Sequence, residues 1–102
     1  MIVTANRVSI TKGYEQEFEK RFEQRLGAVD RMPGFIRNEV LRPLQGDCYV
    51  VLTYWESEAA FEAWMQSESF KQAHANPAPK EMFAGRSVFE MHEVIQVSEK
   101  KS

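Results

Sequence analysis

Cysteine is nearly missing from this chain: among 102 residues there is one, Cys48. A single thiol closes no intrachain disulfide, and no basic segment followed by an apolar run opens the sequence, so a reducing, cytoplasmic setting is expected. Long hydrophobic runs are missing too. Nothing approaches the ~20 apolar residues that cross a bilayer, which predicts a soluble protein with no membrane partner. Neither sign of charge is in excess: 13 basic residues stand against 15 acidic ones, for a net charge of −2. Phosphate backbones are met by concentrated positive charge, so nucleic acid is disfavoured as a partner. No glycine-rich phosphate loop, Walker sequence, Cys-x-x-Cys or His-Glu-x-x-His is present, which argues against nucleotide and zinc chemistry.

What is present is enough apolar content, 43%, for one compact core, and residues 1–102 are expected to form a single domain. Ile2 to Ile10 alternates, with Ile2, Thr4, Asn6, Val8 and Ile10 on one side, the signature of a half-buried strand. From Gly13 the period lengthens: Tyr14, Phe18, Phe22, Leu26 and Val29 recur every three to four residues, an amphipathic helix ended by Met32-Pro33-Gly34. The acidic and basic residues between them, Glu15, Glu17, Glu19 and Glu23 with Lys20, Arg21 and Arg25, read as a solvated face. Phe35 to Leu41 and Cys48 to Trp55 are aromatic and β-branched around a turn-forming stretch, which predicts an antiparallel hairpin. Ser57 is placed to cap a short helix running to Met65, and Ser67 or Ser69 to cap another reaching about Ala75. Pro77 and Pro79 end it, a loop follows to Arg86, and Ser87 to Val97 alternates as a fourth strand.

Strand, helix, strand, strand, helix pair, strand is the split βαβ order of a ferredoxin-like α+β domain with an antiparallel sheet. Helices cover one face of such a sheet. The strand aromatics Phe35, Tyr49, Trp55 and Phe89 are expected to lie on the other, closed by a second copy in a C₂ dimer.

Three side chains stand out as candidates for chemistry. His74, near the end of the last short helix, is either a surface imidazole meeting the negative end of the helix dipole or a neutral ligand for a metal or haem iron. Trp64 follows Phe61 at ordinary core spacing. On one straight helix Trp64 and His74 would be ~15 Å apart. A break at Gln66-Ser67-Glu68-Ser69 would let both line one wide, flat cavity of the kind a macrocycle fills. Asn6 places a carboxamide on the apolar side of a strand, where an unpartnered polar group costs about 1–3 kcal/mol, so it is either hydrogen-bonded within the fold or faces a cavity. His92 and Cys48 read as structural, since neither has a partner at ligand spacing or a neighbour that would activate it.

The chain resembles the IsdG-type haem-degrading monooxygenases, within the antibiotic-biosynthesis-monooxygenase superfamily of dimeric α+β barrels. The matching segments are Ala5-Asn6-Arg7, Thr11-Lys12-Gly13, Glu19-Lys20-Arg21-Phe22, Pro33-Gly34-Phe35, Tyr54-Trp55-Glu56-Ser57, Ala60-Phe61, Trp64, Ser67, Phe70-Lys71 and Ala73-His74. They span nearly the whole chain. The specific element is Asn6, Trp64 and His74 together. The resemblance implies His74 as proximal iron ligand, Asn6 as the distal group hydrogen-bonded to the oxygen ligand, and Trp64 as the residue that ruffles the porphyrin. Phe22 would be an apolar wall of the pocket. It further implies haem as substrate and cofactor, oxidative ring opening that releases iron, a homodimer, and electrons from an external donor, either a reductase or a small reductant. Arg7, Arg21, Arg25 and Lys80 are available to meet the propionates. The superfamily also leaves room for a cofactor-free quinol-type monooxygenase, and the haem site for a non-enzymatic carrier or sensor.

Overall fold

The computed structural model describes residues 1–24, 29–74 and 78–101. Four strands, β1 (Ile2–Ser9), β2 (Phe35–Leu41), β3 (Cys48–Trp55) and β4 (Val88–Glu93), form one antiparallel sheet in the order β2-β3-β1-β4. The helices are α1 (Glu15–Gln24), α2 (Glu58–Met65) and α3 (Glu68–Ala73), with a 3₁₀ turn at Lys80–Met82. Among the described residues no helix is long and apolar enough to cross a membrane. Leu26 and Arg25, counted above on the first helix, lie outside the described residues, as do Ala75, Asn76 and Pro77.

The register decides which residues share a face. Ile2 pairs with Trp55, Thr4 with Thr53, Asn6 with Val51 and Val8 with Tyr49. On the other side of β1, Asn6 pairs with Phe89 and Thr4 with Met91. These residues look toward the helices. A core of Val8, Phe18, Tyr49 and Met82 forms there, with Ile10, Tyr14, Phe22, Val51 and Ala78 packed against it. Phe18 meets Phe22 and Tyr49 edge to face at 5.0 and 4.8 Å between centroids.

The expectation that Phe35, Tyr49, Trp55 and Phe89 lie on the open face is therefore wrong. All four stand on the helix side, and Tyr49 and Trp55 are only 3% and 1% exposed. Alternation separates the two faces of a strand but does not say which one the helices take. The open face carries instead Val3, Val50, Leu52 and Tyr54, with Arg7 paired to Glu90 at 2.9 Å and Arg37 4.2 Å from the Tyr54 ring centroid.

Glu19 also departs from its reading as part of a solvated face. Its carboxylate accepts hydrogen bonds from the Arg42 guanidinium, beyond the end of β2, and from the Tyr49 hydroxyl on β3. Those two bonds, Arg42 first, hold the Glu19 pKa down at about 2. The pairing raises that of Arg42, while burial, followed by the Glu19 contact, raises that of Tyr49. This triad clasps α1 to the sheet.

The loop expected up to Arg86 is docked on the fold. Thr11 N–H donates to Met82 O at 2.8 Å and Ala84 N–H to Ser9 O at 2.9 Å, with a bridge between Ile10 and Phe83. Met82 drops into the core at 1% exposure. The last strand ends at Glu93, level with Ile2 where β1 begins, rather than running to Val97, because its ladder partner stops there.

Candidate active site

Each candidate owes its place to a local device. Gly34 has φ +84°, and a Cβ there would lie 2.5 Å from the Ala60 Cβ, so glycine lets α2 seat against the start of β2. The Ser57 hydroxyl accepts from Ala60 N–H at 3.2 Å and caps α2, which sets Trp64 next to its last residue, Met65. Ser67, rather than Ser69, caps α3: its hydroxyl accepts from Phe70 N–H at 3.1 Å and donates to Trp64 O at 2.7 Å. The helix breaks where the serines predicted.

That break produces a row of rings. Trp64 stands perpendicular to Phe70 at 5.5 Å, and Phe70 lies 4.1 Å from the His74 imidazole. Trp64 leans on buried Trp55 at 6.5 Å, Trp55 meets Phe61 at 6.1 Å, and Phe61 stacks on Phe89 at 5.9 Å. His74 is exposed at the C-cap of α3, its Nδ1 2.9 Å from Phe70 O. A carbonyl only accepts, so Nδ1 carries a proton, and in the neutral imidazole the lone pair is left on Nε2.

Asn6 occupies a different wall. It lines a cavity of about 340 Å³ together with Val8, Phe83, Gly85 and Ser87. Trp64 and His74 are not among its lining residues; the ring pairs Phe89–Phe61 and Trp55–Trp64 connect the two places. Asn38 on β2 makes an instructive control. Its carboxamide, on the same sheet face, donates to Thr53 Oγ1 at 2.8 Å and to Leu52 O at 3.1 Å. The Asn6 carboxamide has no hydrogen-bond partner among the described residues. Of the two readings open to Asn6, the cavity is where the structure puts it.

Phe22 packs on Phe18 at the edge of the core. Arg7 points to the opposite sheet face from Asn6 and is paired to Glu90, which removes it from this side. Lys80 is exposed on the 3₁₀ turn. Sequence reasoning placed Phe70 in the family match but gave it no role; from four residues before His74, its carbonyl and ring both reach the imidazole. It missed Ser87, two residues before Phe89 and so on the Asn6 face.

Residues 1–76 match the family described as antibiotic biosynthesis monooxygenase. The chain belongs to that family. Within it, the chain is 37% identical over 97 residues to a mycobilin-producing haem oxygenase of Mycobacterium tuberculosis, covering 94% of this chain and 91% of that protein. It is 37% identical over 79 residues to a staphylobilin-producing haem oxygenase of Staphylococcus haemolyticus, with 74% and 75% of the two chains covered. Its fold superposes with a TM-score of 0.81 and 34% identity on the haem degrader MhuD of M. tuberculosis, solved with two haems in its active site, over 97% of this chain and all of that one.

Proposed function

We propose that this antibiotic biosynthesis monooxygenase family member is a haem-degrading monooxygenase that opens the porphyrin oxidatively and releases its iron. The observation that carries the reading is the pairing of an exposed imidazole whose Nδ1 is held by Phe70 O with an Asn6 carboxamide left unpartnered in a cavity. Relatives named for haem oxygenation and haem degradation support it.

The residues present fit the ligand. A bare cation needs three or four protein donors, and among the described residues no cluster of three His, Cys, Asp or Glu could hold one. Haem brings four equatorial nitrogens of its own, so one imidazole suffices. In this reading His74 would hold the iron through Nε2, with the Phe70 carbonyl fixing the tautomer and the ring orientation. Trp64, braced by Trp55 behind and Phe70 at its edge, is a stiff surface able to press on a macrocycle without yielding. Asn6 would supply a neutral N–H donor on the cavity side, where an acid would instead supply protons. Phe22 supplies apolar wall. Haem provides the oxygen chemistry when bound; the chain supplies position and shape. Electrons come from outside, from a reductase or a small reductant.

The open sheet face with Val3, Val50, Leu52 and Tyr54 suits a second copy, so the working form is a homodimeric α+β barrel of one domain per chain. A cytoplasmic setting suits the lone thiol, Cys48. Titrating haem into the purified protein is expected to give a Soret band at one equivalent per site, which bleaches with release of chelatable iron under reductant and air. A spectrum identical to free haem would refute the function; stable binding without bleaching would make the protein a carrier.

A further inference from the structure

Ser87 stands directly before β4. Arg7 pairs with Val88, so the same ladder continued one step sets Ser87 level with Val8. Alternation puts it on the face of Phe89, whose register partner is Asn6. Ser87 is therefore the diagonal neighbour of Asn6, a relation with a Cα separation of ~7–8 Å. Both line the same cavity, whose other walls are Val8, Phe83 and Gly85. A Cβ at Gly85 would meet nothing within 4 Å, so the cavity wall at Gly85 is open. Ser87 is exposed and Asn6 half-buried, and neither side chain is tied to a hydrogen-bond partner among the described residues, so both are free to turn toward a ligand in that space. The Ser87 backbone is held on both sides, by the Ser9–Ala84 and Thr11–Met82 bonds before it and by β4 after it.

We propose that Ser87 is a positioning residue for the reaction: its hydroxyl is the second hydrogen-bond donor, with Asn6, to the small ligand held over bound haem. The inference rests on the function proposed above. One donor leaves a ligand free to swing about the donor axis. Two donors ~7–8 Å apart at their Cα atoms, each reaching ~2.7–3.0 Å to an acceptor between them, fix its tilt as well. Ser87 then governs which edge of the ring is attacked more than how tightly haem is held.

The test uses the full chain as Ser87→Ala and Ser87→Thr, with melting temperature and haem titration measured first. Both variants are expected to fold and to bind haem like wild type. Azide, which accepts hydrogen bonds at its far end, is then titrated into the ferric complex. Ser87→Ala should weaken azide about 3- to 10-fold, the size of one net hydrogen bond, and shift the mixture of ring-opening isomers, while Ser87→Thr restores both. Wild-type azide affinity and isomer mixture in a haem-loaded Ser87→Ala protein overturn the proposal and leave the function standing. Loss of fold or of haem binding in Ser87→Ala also overturns it, since Ser87 would then be structural or a binding residue. A wild-type protein that binds no haem refutes the function itself.

Discussion

Two polar clusters sit on the helix side of one sheet and are built on opposite terms. At one end Arg42 and Tyr49 both bond to the Glu19 carboxylate, tying α1 to β3 and to the loop after β2. At the other, Asn6 and Ser87 face a cavity with none of their hydrogen-bonding capacity used by described residues. The Asn6 carboxamide is half-buried and reaches solvent through the cavity, whereas that of Asn38 is spent on protein partners of the same sheet face. On the function proposed above, the difference separates polar groups that hold the fold from polar groups kept for a ligand.

The largest break in that comparison comes from outside both clusters. His74→Ala removes the imidazole with its exposed contacts to Phe70 at the end of α3, and nothing that α2 or the sheet depends on. It is expected to leave the melting temperature within a degree or two and to weaken haem binding about 100-fold or more, roughly 2.7 kcal/mol, with loss of the histidine-ligated spectrum. Unchanged ligation would remove the proximal role. Next comes Asn6→Ala, expected to slow haem degradation about 10- to 100-fold while haem affinity changes little. Because Asn6 has no internal partner, its loss should not lower stability. A drop in melting temperature like that of a broken hydrogen bond would make Asn6 part of the fold and erase the contrast.

Much of this arrangement was readable in the sequence because it is local. The hairpin strands Phe35–Leu41 and Cys48–Trp55 follow from alternation around a turn, and the broken helix from serine caps that act within three residues. The Asn6, Trp64 and His74 set came from their types, their spacing and a family resemblance. What was illegible depends on contacts far along the chain. Periodicity sees Glu19 among its helical neighbours but not Arg42, 23 residues away. It cannot say that Met82 will plug the core, because loop composition carries no address. Nor could it choose the face for Tyr49 and Trp55, since both faces of β3 are apolar.

A middle-sized effect probes the satisfied cluster. Tyr49→Phe keeps the ring between Phe18 and the sheet and deletes only the hydroxyl bonded to Glu19. Losing one hydrogen bond to a charged group costs about 1.5–3 kcal/mol, or a melting temperature lower by roughly 6–20 °C in a domain of this size. Haem affinity and turnover of the folded variant should match wild type. Asn6→Ala and Tyr49→Phe would then fail in opposite assays, and any crossover would blur the division.

The smallest effect is the dependence of stability on pH. The Glu19 pKa lies near 2 in the fold, below the ordinary glutamate value of 4.5, first through Arg42 and then through Tyr49. A carboxyl depressed by folding contributes its stability in full above its unfolded pKa and loses it as pH falls toward the folded one. The stability gap between wild type and Glu19→Gln should therefore hold steady from pH 7 to about 5, then narrow from about 4.5 toward 2. Its size is limited because the Arg42 side chain is 68% exposed and its pairing is screened by water and salt. Raising the ionic strength should thus reduce the gap only in part, since the Tyr49 hydroxyl donates from a buried ring that salt does not reach. A gap that salt abolishes would mean that Arg42 alone carries the cluster and that Tyr49 contributes only its ring.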